Sequence, residues 1–490
     1  MTGVVGWESH GRAVRRLTDS FDAIPAGCTV RLAKRTSNLF RVRGDTDTSG
    51  LDVSGLDVSG LDVSGLDVSG LAGVIVVDPE QRTADVQGMC TYEDLVDVTL
   101  ARAMIPLVVP QLRTITLGGA VSGLGIEATS FRNGLPHESV LEMDILTGAG
   151  AMVTTRRGED LFDSFPNSYG SLGYATRIRI ELEPVPGFVE LEHVRFDDLD
   201  AVTKAIVSIT DERAWHGRRV DALDGVVFAP DEAYLTVAHF TDDPDHGDDT
   251  AASDDTASDY TVSDYTGQQV YYRSLRSRDR DLLTMHDYLW RWDTDWFWCS
   301  RAFGAQHPLV RRLWPRRYRR SDVYHRLVRL EHRFQVMSRI ERARGRPARE
   351  RVVQDVEVPV EATADFLRWF DGSVGMSPVW LCPLRLRDVE GPGSARAWPS
   401  YPLKPGTTYV NVGFWGTVPM AAGAADGDVN RAIEQTVTDL GGHKSLYSDA
   451  YYDRDTFDRL YNGTGLAAVR RVHDPQQRLT GLYEKAVTRR

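Results

Sequence analysis

Apolar and polar residues alternate in several short stretches of the chain, which is the pattern of a β-strand with one buried face. In the first 187 residues this pattern predicts strands at 83–88 and 175–182, and other short strand-like stretches lie at 29–34, 73–77, 139–147 and 151–155. Residues 91–103 have helical spacing, with Thr91 as N-cap and Asp94 at the capping-box position, and residues 160–165 predict a short helix. This part of the chain therefore mixes helices and strands around glycine turns at 148–150 and 169–173.

The second half predicts fewer elements. An amphipathic helix is expected at 197–210, then a strand at 352–360, a helix at 361–370, strands at 379–384 and 408–413, and a C-terminal helix at 475–487.

Two segments depart from these patterns. Residues 51–70 repeat LDVSG four times, and the last copy runs into the strand at 73–77. Twenty residues are too few to stack into a solenoid, so we expect a surface loop in which only the last copy is structural. Residues 242–267 are acidic, rich in Ser and Thr and poor in apolar residues, which predicts a mobile loop. Neither segment is expected to carry chemistry.

Composition excludes several classes of protein. The 490 residues have a formal charge of -13, and no apolar run approaches the roughly 18–20 residues that span a bilayer. The N-terminus lacks the pattern of a secretory signal. Four scattered Cys without a CxxC pair indicate free thiols rather than a disulfide framework or a zinc ribbon, and we expect no metal site. The expected compartment is the cytosol.

The charge is unevenly distributed. Residues 273–351 contain 21 Arg, no Lys and 9 Asp or Glu, together with five of the eleven Trp. Such a segment could lie on anionic lipid, with indoles at the interface and guanidinium groups on phosphates. It could instead be a solvated helical surface over buried tryptophans. Nucleic acid is disfavoured because the rest of the chain is strongly acidic.

The stretch PQLRTITLGGAVSGLGIEATSFRNG at 110–134 is dense in glycine. Glycines let backbone N–H groups approach a phosphate and form an anion-binding nest, although a structural turn has the same composition. No Lys follows the glycines as in a P-loop, and the GxGxxG order of a Rossmann turn is missing.

This stretch resembles the flavin loop of the vanillyl-alcohol-oxidase, or PCMH-type, FAD-binding family, and within it the delta-24 sterol reductase branch. SYGSLGYATRIRIELEPV resembles the second flavin-contacting turn of that branch, and VVQDVEVPV, VWLCPL and SLYSDAYYDRDTFDRLYNG resemble its C-terminal half in order. The resemblance implies an α+β fold. Residues 1–187 would be an FAD-binding domain of two α/β subdomains, and residues 188–490 a substrate, or cap, domain with an antiparallel sheet and helices.

The resemblance also implies which residues hold the flavin. The diphosphate and ribityl chain would be contacted by Thr116, Gly118, Gly119, Gly123, Gly125, Ile126, Glu127 and Ser130, and the flavin flanked by Gly170, Leu172, Gly173 and Ile178. The first phosphate loop of the family falls on KRTSN, which lacks Gly but offers Ser37 and Asn38. Because KRTSNLF also lacks the His or Cys through which many relatives attach FAD, we expect non-covalent FAD.

The branch reduces an isolated carbon–carbon double bond, and the resemblance implies NADPH as electron donor. An unactivated alkene accepts hydride poorly, so a positioned acid in a dry pocket is needed. Candidate acids are Tyr447, Asp449, Tyr451, Tyr452, Glu127 and Cys382, although each could also be a packing or hydrogen-bonding residue.

Two lipid substrates compete. One is a sterol side chain, and the other is a 10-methylene fatty acyl chain on a phospholipid, as reduced by similar actinobacterial proteins of tuberculostearic acid synthesis. Arg outnumbers Lys 52 to 5, which is typical of GC-rich bacterial genes, and such bacteria seldom make sterols. LAKRTSNLF and FRNGLPHESVLEMDILTG resemble those bacterial proteins. We therefore favour the acyl substrate, a methyltransferase as pathway partner, and peripheral contact with the inner face of the plasma membrane. A flavin-dependent alcohol oxidase and a non-catalytic lipid-binding protein remain alternatives.

Overall fold

The computed structural model describes residues 3–33, 40–41, 65–123, 125–242, 261–267, 269–324, 326 and 347–488. The predictions for Ser37 and Asn38, for the first LDVSG copies (51–64) and for most of the acidic segment (243–260) lie outside the described residues.

A six-stranded antiparallel sheet occupies the first part of the described chain, in the order β1-β2-β6-β4-β5 with β3 paired to β6. Its strands are β1 (Val74–Asp78), β2 (Thr83–Gln87), β3 (Met104–Pro106), β4 (Val140–Leu146), β5 (Met152–Arg156) and β6 (Tyr174–Pro184). The helices are α1 (Gly6–Asp22), α2 (Tyr92–Leu100), α3 (Leu117–Ser122), α4 (Ser130–Asn133) and α5 (Asp160–Ser164), with a 3-10 turn at Pro136–Ser139. The Thr91 hydroxyl accepts the Asp94 N–H (3.1 Å), which confirms the predicted start of α2.

A second antiparallel sheet has eight strands in the order β12-β7-β11-β10-β14-β15-β13-β16. These are β7 (Phe188–Phe196), β10 (Ala222–Ala229), β11 (Glu232–Thr241), β12 (Arg280–Thr284), β13 (Arg349–Pro359), β14 (Val379–Leu384), β15 (Tyr409–Pro419) and β16 (His443–Lys444), while β8 (Ala214–Trp215) and β9 (Arg218–Arg219) form a separate hairpin. The two sheets and their helices confirm the α+β class.

The helices of this second part are α6 (Leu199–Glu212), α7 (Tyr271–Ser274), α8 (Met285–Leu289), α9 (Pro308–Leu313), α10 (Val360–Ser373), α11 (Asp428–Asp439), α12 (Arg454–Leu460), α13 (Gly463–His473) and α14 (Leu482–Ala486). There are further 3-10 turns at Asp293–Asp295, Cys299–Phe303 and Arg316–Tyr318. Within the described ranges, no helix combines the length and the apolar character needed to cross a bilayer.

The two faces of the eight-stranded sheet have different partners because side chains alternate along a strand. On β13, Val356 and Val358 pack into a core shared with α6, α10 and α11. The intervening residues, Asp355 and Glu357, point to the opposite face. That face, with Trp380 of β14 and Trp415 of β15, turns toward the first sheet.

The Arg/Trp segment is largely interior. Trp290, Trp292, Trp296 and Trp298 are each at most 5% exposed. Arg291 is also buried and donates to Asp224 (2.8 Å), which accepts the Trp292 Nε1–H at the same distance. These four tryptophans therefore lie in the core, which was one of the two interpretations that the sequence left open. The other interpretation, lipid contact through their indoles, is wrong.

Three smaller predictions differ from the structure. Residues 29–33 form only an isolated bridge, Leu32 to Leu66, rather than a strand. Residues 475–480 form a turn because the Asp474 carboxylate accepts the N–H groups of Arg478 (2.7 Å) and Leu479 (3.0 Å), so the final helix is only α14. The end of the acidic segment is packed: Tyr265 is 3% exposed and its hydroxyl bonds to Asp281.

Candidate active site

The glycines of the predicted flavin loop allow three backbone segments to meet. The Thr116 hydroxyl accepts the Gly119 N–H (3.2 Å) and so caps α3. A Cβ on Gly118 would lie 2.6 Å from the Gly88 carbonyl oxygen, and one on Gly88 would lie 1.9 Å from that of Ala175. The Gly118 N–H itself donates to Gly88 (2.9 Å). The close approach of these chains explains the glycines here, and Thr116, Gly118 and Gly119 all line a cavity.

The rest of this loop divides between the cavity wall and the layer behind it. Gly125 and Ile126 line the cavity, and a Cβ on Gly125 would lie 2.7 Å from the rings of Pro110 and Pro136. Gly123 lies beside them, in contact with the Tyr169 ring, without being part of the lining. The Ser130 hydroxyl accepts the Glu127 N–H (3.1 Å) behind the wall.

Glu127 is buried away from the cavity. It is 2% exposed, and the Thr129 hydroxyl donates to its carboxylate. Burial raises the pKa of Glu127 to about 7, against the opposing effects of the Thr129 hydrogen bond and of Arg291. The structure therefore places this candidate acid behind the cavity wall rather than at its surface.

The second glycine turn faces the first. Gly170 and Gly173 line the cavity with positive φ of 75° and 136°, and a Cβ on Gly173 would lie 2.5 Å from the Leu146 carbonyl oxygen. The Tyr169 N–H donates to Ser122 (2.7 Å), which ties the two turns together. Leu172 and Ile178 are fully buried in the core beneath the turn and do not reach the cavity.

The cavity changes character along its length. At one side it is lined by apolar residues near α1, namely Leu17, Leu32, Val68, Leu71 and Tyr174. The two glycine turns line its middle, and aromatic residues close the other side, namely Phe40, Trp296, Phe297, Trp380, Trp415 and Tyr447. Val68 belongs to the last LDVSG copy, so that copy is structural, as predicted, and also contacts the cavity.

The aromatic side of the cavity is tightly packed. Phe297 and Trp415 have ring centroids 4.5 Å apart, and Phe40 stacks on Trp296 at 5.6 Å. Rings in such contact form a rigid apolar wall that excludes water. Five segments remote in sequence supply this wall.

An acid pair interrupts the aromatic wall. Asp355 of β13 and Tyr447 both line the cavity, and the Tyr447 hydroxyl lies close enough to the Asp355 carboxyl to influence its pKa. The Tyr447 oxygen also accepts the Trp415 Nε1–H (2.8 Å), and the Asn411 amide donates to Asp355 Oδ1 (3.1 Å).

Burial sets the protonation of this pair. It raises the pKa of Asp355 from 3.8 to about 7, because a charged carboxylate is poorly solvated there. The pKa of Tyr447 is raised well above its ordinary value by burial and by the neighbouring Asp355. Near neutral pH, both groups can therefore hold a proton at the cavity surface.

Unsatisfied polar groups test whether FAD fits. Gln111 is 4% exposed and lines the cavity, and both polar atoms of its amide are buried without a hydrogen-bond partner in the described structure. The Tyr169 hydroxyl, which belongs to another lining residue, is buried and equally unpartnered there. Unpaired buried polar groups are costly, so they indicate a polar ligand. A flavin edge offers hydrogen-bond donors and acceptors to such groups. The glycine turns leave room for the ribityl and diphosphate chain of the cofactor.

The other candidate acids lie elsewhere. Asp449 pairs with Arg351 (3.1 Å), and the Tyr451 N–H donates to Glu434 Oε2 (2.9 Å) beside α11. Cys382 is fully buried on β14, where burial raises its pKa. The Tyr452 ring packs 6.2 Å from that of Tyr461. None of these four is among the residues that line the cavity.

Sequence reasoning missed Asp355, Gln111, Tyr169 and the aromatic wall. A signal for Asp355 was present, since its predicted strand reads VVQDVEVPV and places two carboxylates on one face between valines of the other. Gln111 stands in the glycine-rich stretch but outside the glycine motif. For the aromatic wall the only local signal was the Trp-rich segment that contains Trp296 and Phe297, and it did not indicate a cavity.

Several known proteins are similar to this chain. An FAD-binding domain model matches residues 28–156. A delta(24)-sterol reductase of Rattus norvegicus is 22% identical over 423 residues, covering 85% of this chain and 76% of the relative. The delta(24)-sterol reductase of Arabidopsis thaliana is 23% identical over 418 residues, covering 80% and 70%. Cytokinin dehydrogenase 2 of Oryza sativa subsp. japonica is 35% identical over 114 residues, only 23% of this chain and 20% of the relative.

The matched FAD-binding domain contains the first glycine turn, and Asp355 and Tyr447 come from the second half of the chain. The chain is therefore a flavin-dependent oxidoreductase with an FAD-binding domain at residues 28–156, similar along most of its length to delta(24)-sterol reductases.

Proposed function

We propose that the protein reduces an isolated carbon–carbon double bond in a lipid, and that the substrate is a 10-methylene fatty acyl chain of a phospholipid. Bound FAD, once reduced, supplies the hydride for such a reaction. The observation that carries the proposal is the placement of Asp355 and Tyr447 together in the aromatic wall of the cavity, where burial raises the pKa of both groups. An alcohol oxidase requires a base at this place rather than a neutral acid.

Tyr447 is the proton donor in this proposal. Its hydroxyl oxygen accepts the Trp415 Nε1–H, and the Asp355 carboxyl lies nearby in the same cavity lining. As the Tyr447 proton passes to the alkene carbon, the Asp355 carboxyl can return a proton to the phenol oxygen. The aromatic wall keeps water from the cation-like carbon that forms when protonation leads.

Thr116, Gly118, Gly119, Gly125 and Gly170 line the cavity and would hold the diphosphate and ribityl parts of FAD. Gln111 and the Tyr169 hydroxyl supply hydrogen bonds to the cofactor. FAD is non-covalent in this proposal, since the described lining residues include neither His nor Cys. NADPH is the proposed electron donor and a methylene-forming methyltransferase the pathway partner.

The composition of lipids tests the substrate. Cells that express the chain beside a methylene-forming methyltransferase are expected to convert 10-methylene acyl chains into 10-methyl chains, a gain of two hydrogens by mass spectrometry. Tyr447→Phe is the matched variant, because it removes the proton donor and keeps the ring. An unchanged methylene pool with the wild-type protein would reject the acyl substrate.

A sterol is the second candidate, favoured by the named activity of the relatives that align with 85% of the chain. In a parallel assay, the FAD-bound protein is incubated with NADPH and a sterol that carries a side-chain double bond. Reduction of the sterol, with no change in the acyl lipid, would replace the acyl substrate by the sterol and leave the proposed reaction class unchanged.

A further inference from the structure

The basic segment presents an apolar face to solvent although its tryptophans are largely buried. Leu309 and Leu313 lie one turn apart on α9 and are 67% and 84% exposed. Val310 and Tyr318 extend this face at 38% and 43% exposure. Monomeric proteins rarely leave large apolar side chains side by side in water without a use for them.

Two buried arginines hold this face outward. Arg311, on the opposite side of α9, is 1% exposed, pairs with Asp295 and donates to the carbonyl oxygens of Tyr265 (2.9 Å) and Gln269 (2.6 Å). Arg319 donates to the carbonyl oxygens of Thr266 and Trp314. These bonds fix α9 and the following turn on a rigid base, so the leucines cannot fold inward.

Cations flank the leucines. Arg312 and Arg317 are exposed, and within the described structure neither forms an ion pair; Arg317 lies over the Tyr318 ring at 4.8 Å. Arg316, by contrast, pairs with Asp264 (2.9 Å). Apolar side chains between free guanidinium groups match an anionic phospholipid surface, where the leucines enter the acyl boundary and the arginines meet phosphate.

A short segment, residues 293–297, links this face to the cavity. Asp293 accepts the Arg113 N–H (3.0 Å), next to the lining residues Leu112 and Thr114. Asp295 anchors Arg311, and Trp296 and Phe297 follow directly in the cavity wall. Residues 293–297 therefore join the base of α9 to the aromatic side of the cavity.

We infer that Leu309, Val310, Arg312, Leu313, Arg317 and Tyr318, here called the α9 face, dock the protein on an anionic phospholipid membrane. The inference deepens the proposed function, since it gives the route by which a membrane lipid is presented to the cavity. The net charge of -13 would repel such a surface, so the contact must be local and oriented.

The test uses the full-length FAD-bound protein and sedimentation with vesicles of phosphatidylcholine alone or mixed with phosphatidylglycerol. Leu309→Asn with Leu313→Asn is expected to lower partitioning at least tenfold on the mixed vesicles, from the loss of two inserted side chains. Arg312→Gln with Arg317→Gln is expected to lower it about fivefold per arginine on those vesicles and little on phosphatidylcholine. Arg471→Gln with Val472→Asn, an exposed pair on α13, is the matched control.

Unchanged partitioning in both double variants would overturn the inference. Light scattering could instead show that the wild-type protein is a dimer, that the leucine variant dissociates it, and that neither binds vesicles. That result would overturn the docking inference in favour of contact between two copies. Turnover separates this test from the proposed function. The variants should match wild type on a 10-methylene acyl phospholipid in detergent micelles and fall below it on the same lipid in vesicles. Absence of turnover by wild type in micelles would reject the proposed substrate, while the partitioning result would still decide the docking.

Discussion

Replacing Asp355 by Asn should stabilise the protein at alkaline pH and inactivate it. The folded protein holds this carboxyl where burial raises its pKa from 3.8 to about 7, whereas the unfolded chain ionises it near the ordinary value. For an acid with a raised pKa the folded state binds more protons, so stability falls as pH rises between the two values. Asn has the same shape, stays neutral and removes this pH dependence.

The size of the effect follows from the two pKa values. At about 1.4 kcal/mol for each pKa unit, a rise from 3.8 to about 7 costs roughly 4 kcal/mol once pH exceeds 7, and nothing below pH 3.8. At pH 5 roughly 1–2 kcal/mol of that cost is already present. Between pH 5 and pH 8 wild type should therefore lose roughly 2–3 kcal/mol relative to Asp355→Asn.

Urea unfolding of the FAD-bound protein, with FAD in equal excess at both pH values, measures this difference. Asp231→Asn, at an exposed position, is the control and should show no such dependence on pH. Turnover of Asp355→Asn should fall by about 10²-fold or more because the proton relay is broken. A variant destabilised equally at pH 5 and pH 8 would mean that Asp355 is ionised in the folded protein, and the reasoning would be wrong.

Three further changes test the same site. Tyr447→Phe should slow reoxidation of reduced flavin by the alkene about 10²-fold in stopped-flow absorbance, while flavin reduction by NADPH stays unchanged; slowing of both steps would argue against a proton donor. Gly413→Ala places a Cβ 2.3 Å from Asp355 Oδ1 and 2.6 Å from the Trp415 ring, so it should cost about 1–3 kcal/mol in urea unfolding and shift the pH profile of turnover. Gln111→Leu should weaken FAD binding about tenfold in a fluorescence titration, from the lost amide hydrogen bonds. Wild-type affinity would show that the amide does not face the cofactor.

Much of the first sheet could be predicted because its signals are local. Alternation identified β2 and β6, short strand-like stretches identified β1, β4 and β5, and the capping residues identified α2. In the second sheet β10 is buried along nearly its whole length, so it has no alternation to read. Strand β7 of the same sheet does alternate, with Val189, Leu191 and His193 buried, so that signal could have found it.

The candidate site also has a part that could be predicted from local sequence and a part that could not. Glycine turns depend on neighbouring residues, and their chemistry can be read from a short stretch of sequence. The Asp355–Tyr447 pair joins residues from β13 and from a loop after β16, and only the packed sheet brings them together. Tyr447 was found from its motif, while its partner required the structure.

The cost of keeping Asp355 neutral explains how the eight-stranded sheet is built around it. The opposite face of β13 is a dense valine core under α10 and α11, which stabilises the strand where the acid weakens it. Gly413, directly paired with Asp355 in the sheet, leaves the space the carboxyl occupies. The Asn411 amide donates to the carboxyl and Tyr447 lies beside it, and neither supplies a positive charge that would ionise it. A cation at this position would lower the pKa of Asp355 and abolish the acid, so the arrangement keeps the proton at a cost in stability.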